Sequence, residues 1–366
     1  MSDINVLKNT VKSTVIKEMS EMGHEQIVFC YDKPTGLKAI IAIHDTTLGP
    51  ALGGTRIWDY ATEEEALQDA LRLSRGMTFK NAISGLNLGG GKAVIIGDAS
   101  KIKSEAFFRR FGQFIDSLGG KYITAEDVNM TTEDIENIAK ETKHVTGMPQ
   151  EKGGSGDPSP VTAYGVYMGM KAAAKHAFGS DRLAGKKIAV QGVGHVGSYL
   201  VDYLVKEKAE IYITDIFEEK LNAVAQKTGA TIVSSDVYSL DVDIYAPCAL
   251  GATINDESIN KLQCRVIAGA ANNQLADEKK HGEILRKKGV VYAPDFVINA
   301  GGVTNCYAEF TGKNNSDEVY SLTRNIYDTT LNILKKADQD GITPHEAALE
   351  LALKRISNAS KVKENY

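Results

Sequence analysis

Cysteine is scarce in this chain of 366 residues, and its four cysteines stand far apart, at Cys30, Cys248, Cys264 and Cys306. No CxxC pair brings two of them together, so we expect neither a disulfide framework nor a metal site. Long apolar runs are also absent, and no stretch approaches the roughly 20 residues of a membrane span. The polar N-terminal stretch lacks the apolar region of a secretory signal. We therefore expect a cytoplasmic protein with reduced thiols and no membrane partner.

An excess of charge of one sign is missing as well. Lys and Arg total 42 against 47 Asp and Glu, for a net charge of −5. No basic block is dense enough to follow a phosphate backbone, so we expect no nucleic-acid partner. Hydrophobic residues make up 43% of the chain, which is enough for sizeable cores. The length favours two domains.

The order of apolar and polar residues predicts an α/β architecture in two parts. In the first part, strands are predicted at 26–31, 37–44, 92–97 and 121–127, and helices at 1–20, 62–77, 104–118 and 131–141. The stretch 147–160 is rich in Gly, Ser and Pro and is the best candidate for a linker. A helix is predicted at 162–178, and from residue 186 short β-rich runs alternate regularly with helices. Such alternation predicts a parallel sheet with helical crossovers.

A glycine fingerprint lies at the start of this regular alternation. Gly192, Gly194 and Gly197 form GxGxxG directly after a predicted strand and at the start of a predicted helix. The first glycine allows a tight turn, the second lets backbone N–H groups approach a pyrophosphate, and the third permits close helix–strand packing. Asp215 ends the next predicted strand, where a carboxylate would bind the ribose hydroxyls and repel a 2′-phosphate. These features predict binding of NAD rather than NADP, although an aspartate there also suits a cap on the following turn.

Lys92 raises a separate question, because it follows three glycines in GLNLGGGKAVI (85–95). A phosphate-binding P-loop is rejected, since Ala93 stands where a magnesium-binding hydroxyl is required. Lys80 and Asp127 likewise lie at the ends of short apolar runs. Taken one at a time, these residues suit surface lysines and a helix-capping aspartate. Together they suit the oxidation of an α-amino acid, with one lysine binding a carboxylate, a second with a lowered pKa acting as base, and an aspartate moving a proton.

Eight stretches carry a family resemblance: GPALGGTRIW (49–58), MTFKNA (77–82), GLNLGGGKAVI (85–95), ITAEDV (123–128), PSPVTAYGV (158–166), PCALGATIN (247–255), AGAANNQL (268–275) and YAPDFVINAGGV (292–303). They resemble the Glu/Leu/Phe/Val dehydrogenase family, and most closely its leucine-acting members, from about residue 25 to residue 310. The resemblance implies a two-domain α/β protein with a cleft between the domains. Residues 1–147 plus about 331–366 would form an α/β substrate-binding and oligomerisation domain, and residues 148–330 a Rossmann-type, doubly wound NAD-binding domain.

The same resemblance implies roles for individual residues. Lys80 would bind the substrate carboxylate, Lys92 would activate the hydrolytic water, and Asp127 would transfer protons. Gly53 and Gly54 would shape the floor of the substrate site, and the glycines before Lys92 would let the substrate lie against the backbone. The implied cofactor-binding set is Thr162, Gly192, Val193, Gly194, His195, Val196, Gly197, Asp215, Ala271, Asn272, Asn273 and Asn299.

The implied side-chain pocket is lined by small or apolar residues and holds no fixed cation: Leu52, Ala125, Thr146, Val303 and Cys306. Such a pocket favours a branched aliphatic substrate over glutamate. Cys306 stands where the family pattern leads us to expect valine. A missing methylene is worth only about 1–3 kcal/mol, so the preference among Leu, Val and Ile stays open.

The activity implied is the reversible, NAD-dependent oxidative deamination of L-leucine and other branched-chain L-amino acids to the 2-oxo acid, ammonia and NADH. A homo-oligomer is expected, by resemblance an octamer. One alternative is an enzyme of the same family that prefers valine or phenylalanine. A catalytically silent NAD-binding sensor is disfavoured, because both lysines, Asp127 and the glycine fingerprint are present. A 2-hydroxy acid dehydrogenase would require a His–carboxylate pair, and none of the seven histidines falls in the proposed substrate motifs.

Overall fold

The computed structural model of the chain describes residues 14–233, 236–313 and 315–363. These residues form two compact units. The first contains the described residues up to 79 together with 87–148, and the second contains 80–86 together with the described residues from 149 onwards. Of the helix predicted over residues 1–20, the part before Thr14 lies outside the described residues, and a helix is present over Thr14–Met22.

The first unit is built on a mixed β-sheet. Its strands are β1 (Gln26–Asp32), β2 (Leu37–Asp45), β3 (Ala51–Leu52), β4 (Thr55–Trp58), β5 (Gly89–Ile96) and β6 (Tyr122–Ile123). They run in the order β1-β2-β5-β3-β6, with β4 also paired to β5. The accompanying helices are α1 (Thr14–Met22), α2 (Glu63–Ile83), α3 (Ala99–Ile102), α4 (Glu105–Asp116) and α5 (Thr132–Ala139). Residues of α2 from 80 onwards belong to the second unit.

Strand β2 explains how this sheet is buried on both faces. Its side chains alternate, so that Ile41 and Ile43 pack in one hydrophobic cluster with α4 while Ile40 packs in another with Leu67 and Leu71 of α2. Each face of the sheet is therefore covered by helices. The strand predicted at 121–127 is regular only over Tyr122–Ile123, because beyond this point the segment pairs through isolated bridges, Thr55 with Glu126 and Thr124 with Val145.

The second unit contains a sheet in which every strand pair is parallel. Its strands are β7 (Lys187–Gln191), β8 (Glu210–Thr214), β9 (Thr231–Ile232), β10 (Ile244–Pro247), β11 (Val266–Ile267) and β12 (Val291–Tyr292). The order β12-β11-β10-β7-β8-β9 winds outward in both directions from β7 and is that of a dinucleotide-binding fold. The predicted parallel sheet is confirmed.

Helices surround this second sheet and continue to the end of the described chain. They are α6 (Ser159–Phe178), α7 (His195–Lys206), α8 (Glu218–Thr228), α9 (Ser258–Lys261), α10 (Glu278–Lys287), α11 (Asp295–Ile298), α12 (Gly301–Phe310), α13 (Ser316–Arg324), α14 (Ile326–Asp340) and α15 (Pro344–Lys363). Short 3-10 turns occur at Gln150–Lys152 and Val237–Ser239. Among the described residues, no helix has the length and apolar character needed to cross a membrane.

The C-terminal helices pack differently from the sequence-based division, which joined residues 331–366 to the first domain. In the structure the described part of this segment belongs to the second unit. Arg355 of α15 donates from Nη1 to the carbonyls of Ala82 at 3.0 Å and Leu86 at 2.7 Å, and from Nη2 to Gly85 O at 3.1 Å. These carbonyls lie at or just beyond the C-terminal end of α2, where a helix leaves carbonyls without the usual partner four residues further on, and the guanidinium provides donors for them. How substrate and cofactor binding are divided between the units stays a prediction.

Two buried histidines join β2 and the chain before β1 to helix α2. His24 Nε2 lies 2.8 Å from Ser74 Oγ and 3.1 Å from Leu71 O, and His44 Nδ1 lies 2.8 Å from Thr78 Oγ1. The two rings meet edge to face with centroids 4.7 Å apart. Burial, helped by the neighbouring His44, lowers the pKa of His24 to about 4. Burial also lowers the pKa of His44.

This pair predicts a loss of stability in mild acid. Because the pKa of His24 is about 4 in the folded state and 6.5 ordinarily, its contribution is complete above about pH 6.5 and is lost as the pH falls toward 4. The free energy of unfolding, measured in urea, should fall by roughly 1–3 kcal/mol between about pH 7 and pH 5. A His24→Gln variant should start less stable and show a shallower fall. The exposed His195→Gln variant is the control, and an unchanged slope in His24→Gln would contradict the assignment.

Candidate active site

The three glycines before Lys92 lie on β5, in the interior of the first sheet. A β-carbon on each would meet protein atoms: Asp45 O at 2.0 Å from Gly89, Thr78 N at 2.1 Å from Gly90 and Tyr122 Cδ2 at 2.8 Å from Gly91. The space beside these glycines is therefore filled by the protein's own chain. These glycines allow the close packing of β5 against α2 and its neighbouring strands, and the expectation that substrate lies against their backbone stays a prediction.

Lys92 is held in this packed strand with its side chain 7% exposed. Its Nζ donates a hydrogen bond to Oδ2 of Asp127, which follows β6 and is 26% exposed. Gly54 makes this approach possible, since a β-carbon there would lie 2.9 Å from Asp127 Cβ and 2.8 Å from Glu126 O. Gly53 is packed still more tightly, with its β-carbon position 1.7 Å from Gly91 O. The structure thus brings together the predicted base and the predicted proton-transfer acid.

Burial and charge set the protonation of this pair in different ways. Burial lowers the pKa of Lys92, because the ammonium loses its hydration, and the charge of Asp127 only partly restores it. Burial raises the pKa of Asp127, but the charges of Lys92 and Arg56 outweigh this effect and leave that pKa below its ordinary value. Asp127 is therefore ionised, and Lys92 gives up its proton more readily than a surface lysine.

Sequence reasoning missed three residues that extend the pair. Arg56 on β4 donates from Nε to Asp127 Oδ2 at 3.3 Å and from Nη1 to Asp69 Oδ2 at 3.0 Å. Tyr60 donates to the same oxygen of Asp69 at 2.7 Å. Arg56 stands in the quoted motif GPALGGTRIW, but Asp69 carries no motif signal, because it sits on α2 among ordinary surface-helix residues.

The pocket residues predicted in the first unit lie on the first sheet or on segments that pair with it. Leu52 on β3 is paired with Gly90 and Ile123, and Ala125 O accepts the backbone N–H of Thr55 at 2.8 Å. The backbone N–H of Thr146 donates to the carbonyl of Thr124 at 2.8 Å. Leu52, Ala125 and Thr146 are all buried. Their role in substrate selection stays a prediction.

The glycine fingerprint in the second unit has the geometry of a phosphate-binding turn. Gly192 follows β7 with φ +97°, and its β-carbon position would be 2.8 Å from Ala249. Gly197 lies on α7, and its β-carbon position is 2.0 Å from Gly192 O, so the helix packs directly on the turn. Gly194 begins the helix as its N-cap and has no atom within 4 Å of its β-carbon position. The backbone is therefore open at the glycine where a pyrophosphate is expected to approach.

The carboxylate of Asp215 holds the fingerprint loop in place. Its Oδ2 accepts the backbone N–H of Val193 at 2.7 Å, and its Oδ1 accepts the backbone N–H of Phe217 at 3.0 Å. The residue thus also caps the turn after β8, as the simpler interpretation proposed. His195 is exposed at the start of α7, and Val196 beside it is half-buried.

Asn299 connects Lys80 to the loop that carries the predicted nicotinamide contacts. Lys80 Nζ donates to Asn299 Oδ1 at 2.7 Å, and Asn299 Nδ2 donates to Asn272 Oδ1 at 2.7 Å and to Ala270 O at 3.1 Å. Asn273 adopts φ +51° in this loop, and Ala271 is buried. Four predicted residues, Lys80, Asn299, Asn272 and Asn273, are thereby gathered in the second unit.

The remaining predicted residues of the second unit lie on helices α6 and α12. Thr162 on α6 donates from Oγ1 to Pro158 O at 2.9 Å. Thr162 Oγ1 also lies 3.1 Å from the β-carbon position of Gly302. Val303 is buried and Cys306 is half-buried on α12. Because Leu52, Ala125 and Thr146 belong to the other unit, the shared side-chain pocket stays a prediction.

A dinucleotide-binding sheet with this turn, in a chain that also holds a buried lysine paired with an aspartate, is typical of a nucleotide-dependent oxidoreductase. Family models agree. The model for "Glu/Leu/Phe/Val dehydrogenase, dimerisation domain" matches residues 24–144, and that for "Glutamate/Leucine/Phenylalanine/Valine dehydrogenase" matches 153–215 and 213–363. The chain belongs to the Glu/Leu/Phe/Val dehydrogenase family, whose members act on CH–NH₂ donors.

Individual relatives are similar over almost their whole length. The chain is 55% identical to leucine dehydrogenase of Thermoactinomyces intermedius, covering 95% of each protein. It is 54% identical to leucine dehydrogenase of Bacillus subtilis, covering 96% of each. The crystal structure of L-tryptophan dehydrogenase from Nostoc punctiforme is 47% identical and superposes with a TM-score of 0.85, over 94% of this chain and 99% of that one.

The packing around Gly91 predicts a steric effect on stability. A Gly91→Ala variant would place its methyl 2.8 Å from the ring of Tyr122 and 3.2 Å from Ala51 Cβ. We expect it to lower the free energy of unfolding in urea by roughly 1–3 kcal/mol. The matched control is Gly76→Ala on α2, where nothing lies within 4 Å and helix propensity should add about 0.5–1 kcal/mol. Equal stability of the two variants would contradict the packing described.

Proposed function

We propose that this protein catalyses the reversible, NAD-dependent oxidative deamination of L-leucine and other branched-chain L-amino acids. The products are the 2-oxo acid, ammonia and NADH. The observation that carries the proposal is the pairing of buried Lys92 with Asp127, found in a chain that is 55% identical to a leucine dehydrogenase. The pair supplies the acid and the base that the reaction requires.

The second unit offers a site that fits NAD. Gly194 leaves open space at the N-terminus of α7, where backbone N–H groups and the helix dipole favour a pyrophosphate. Asp215 would accept hydrogen bonds from the adenosine ribose, and its charge opposes a 2′-phosphate. Asn272, Asn273 and Ala271 would contact the nicotinamide, with Thr162 assisting at the carboxamide or the phosphates. When bound, NAD supplies the acceptor for the hydride that leaves the substrate α-carbon.

Lys92 and Asp127 would carry the proton transfers. Asp127, ionised by its two cationic neighbours, would take a proton from the substrate amino group as the α-carbon loses hydride and an imine forms. Lys92 would take a proton from the water that adds to the imine carbon, because its lowered pKa makes the neutral amine accessible. Return of protons to nitrogen breaks the C–N bond and releases ammonia. One amino acid, one NAD⁺ and one water are consumed, and one 2-oxo acid anion, one ammonium ion, one NADH and one proton are released.

Substrate binding would use the remaining predicted residues. Lys80 would pair with the α-carboxylate, and its hydrogen bond with Asn299 fixes the ammonium in place. Gly53 and Gly54 would form the floor. The small or apolar residues Leu52, Ala125, Thr146, Val303 and Cys306 would receive the aliphatic side chain.

The proposal includes a homo-oligomer in the cytoplasm, with eight subunits as the expected assembly. The family model that matches residues 24–144 is named for dimerisation, which supports self-association of the first unit. Subunit number is measured by sedimentation or by light scattering on the purified protein.

The first test is formation of NADH, followed by its absorbance, with leucine, valine, isoleucine, phenylalanine and glutamate. Leucine should be turned over with NAD, and Lys92→Met should lose roughly 100- to 10,000-fold in kcat because the base is gone. Lys17→Met, at an exposed lysine on α1, is the matched control and should match wild type. Turnover mainly of phenylalanine or valine would agree with the proposed mechanism but contradict leucine as the preferred substrate. NAD binding without turnover of any amino acid would favour the silent sensor.

A second test addresses the choice of cofactor. Asp215→Ser removes the carboxylate that opposes a 2′-phosphate and that holds Val193 N–H at 2.7 Å. The ratio of kcat/KM for NADP to that for NAD should rise roughly 10-fold or more, equivalent to about 1.4 kcal/mol. Asp241→Ser, an exposed aspartate before β10, is the control. An unchanged ratio would show that Asp215 serves the loop alone.

A further inference from the structure

Arg56 joins the proposed proton-transfer pair to a second carboxylate. It lies on β4, opposite Val94 of β5, two residues along the strand from Lys92. Its Nε donates to Asp127 Oδ2 at 3.3 Å, the same oxygen that accepts the hydrogen bond from Lys92. Two cations therefore converge on one carboxylate oxygen.

The other end of the guanidinium is anchored on helix α2. Arg56 Nη1 donates to Asp69 Oδ2 at 3.0 Å, and Asp69 is 16% exposed in its side chain. Tyr60 donates to the same oxygen at 2.7 Å, while Arg72 donates to Asp69 Oδ1 at 2.9 Å. Since Asp69 is held from three directions, the planar guanidinium bridges two carboxylates in one orientation.

A pocket of about 450 Å³ opens onto this bridge from the solvent side. Its lining is Arg56, Trp58, Tyr60, Glu65, Asp69 and Val128. Arg56 thus lines this pocket and also contacts Asp127, whose side chain is 26% exposed, while that of Lys92 is 7% exposed. An arginine suits this position because it stays charged at every working pH and cannot itself exchange protons with the pair.

We propose that Arg56, anchored by Asp69, is a positioning residue for the Lys92–Asp127 pair: it fixes the carboxylate against the lysine and supplies the constant positive charge under which the lysine works. This inference rests on the proposed function, because it assigns a purpose to the pair. Arg56 itself need not touch substrate.

The charged groups around Arg56 allow the proposal to be tested through the pKa of Lys92. They come from Asp127 after β6, Lys92 on β5, Asp69, Arg72 and Glu65 on α2, and Tyr60 after β4. The charge of Arg56 lowers the pKa of Lys92, and the charge of Asp69 raises it. Removing each charge should therefore move the titration of the base in opposite directions.

The experiment measures kcat/KM for leucine deamination against pH in Arg56→Gln, Arg56→Lys and Asp69→Asn. In Arg56→Gln, loss of the cation should move the acid limb to higher pH by about one pH unit. Its kcat should fall roughly 10- to 100-fold because the carboxylate loses its orientation. Asp69→Asn should move the acid limb to lower pH. Arg56→Lys should keep the limb close to wild type and recover only part of kcat, since a lysine cannot bridge both carboxylates.

The control is Arg110→Gln, which breaks another arginine Nε–carboxylate contact of the first unit, to Asp32 at 3.0 Å. Its pH profile should match wild type. Limbs that shift in the same direction in Arg56→Gln and Asp69→Asn, or do not shift, would overturn the inference. If Arg56→Gln does not fold, the downward shift in Asp69→Asn and the unshifted limb in Arg56→Lys decide the matter. Wild-type protein without amino-acid turnover would refute the proposed function itself, whereas wild-type turnover with unshifted variants refutes only the role of Arg56.

Discussion

A buried ammonium is the constraint on which the first unit depends. Lys92 lies in the middle of a sheet with almost no access to water, and an isolated charge there would cost far more than folding can supply. The cost is offset because Asp127 reaches the ammonium and Arg56 keeps that carboxylate ionised. The unit therefore maintains a lysine whose proton is loosely held, which is the property that water activation requires.

The glycines around this pair serve packing. Those of β5 admit Asp45, Thr78 and the Tyr122 ring at distances that no side chain allows. They draw helix α2 and strand β3 tightly onto β5, and this close packing dries the site around Lys92. The glycine run before Lys92 thus allows the close packing that buries the lysine.

The second unit uses glycine in a different way. Gly192 turns the chain, Gly197 lets α7 pack on that turn, and Gly194 leaves an open backbone at the helix N-terminus. One short motif therefore combines backbone freedom, close packing and ligand access. Asp215 accepts the backbone N–H of Val193, so the residue proposed to select the cofactor also holds the fingerprint loop in place.

The sequence by itself determined the parallel sheet and the glycine fingerprint, because alternating apolar runs and motifs of fixed spacing are local, and it marked Lys92 and Asp127 as candidates through short motifs. Only the tertiary structure decided what fills the space beside the glycines, which unit holds the C-terminal helices, and that Asp69 anchors Arg56. These depend on contacts between distant segments: Arg355 meets carbonyls at the end of α2, and the carboxylates of Asp69 on α2 and of Asp127 after β6 both accept from the guanidinium of Arg56. No local pattern encodes such pairings, since each partner alone is an ordinary polar residue.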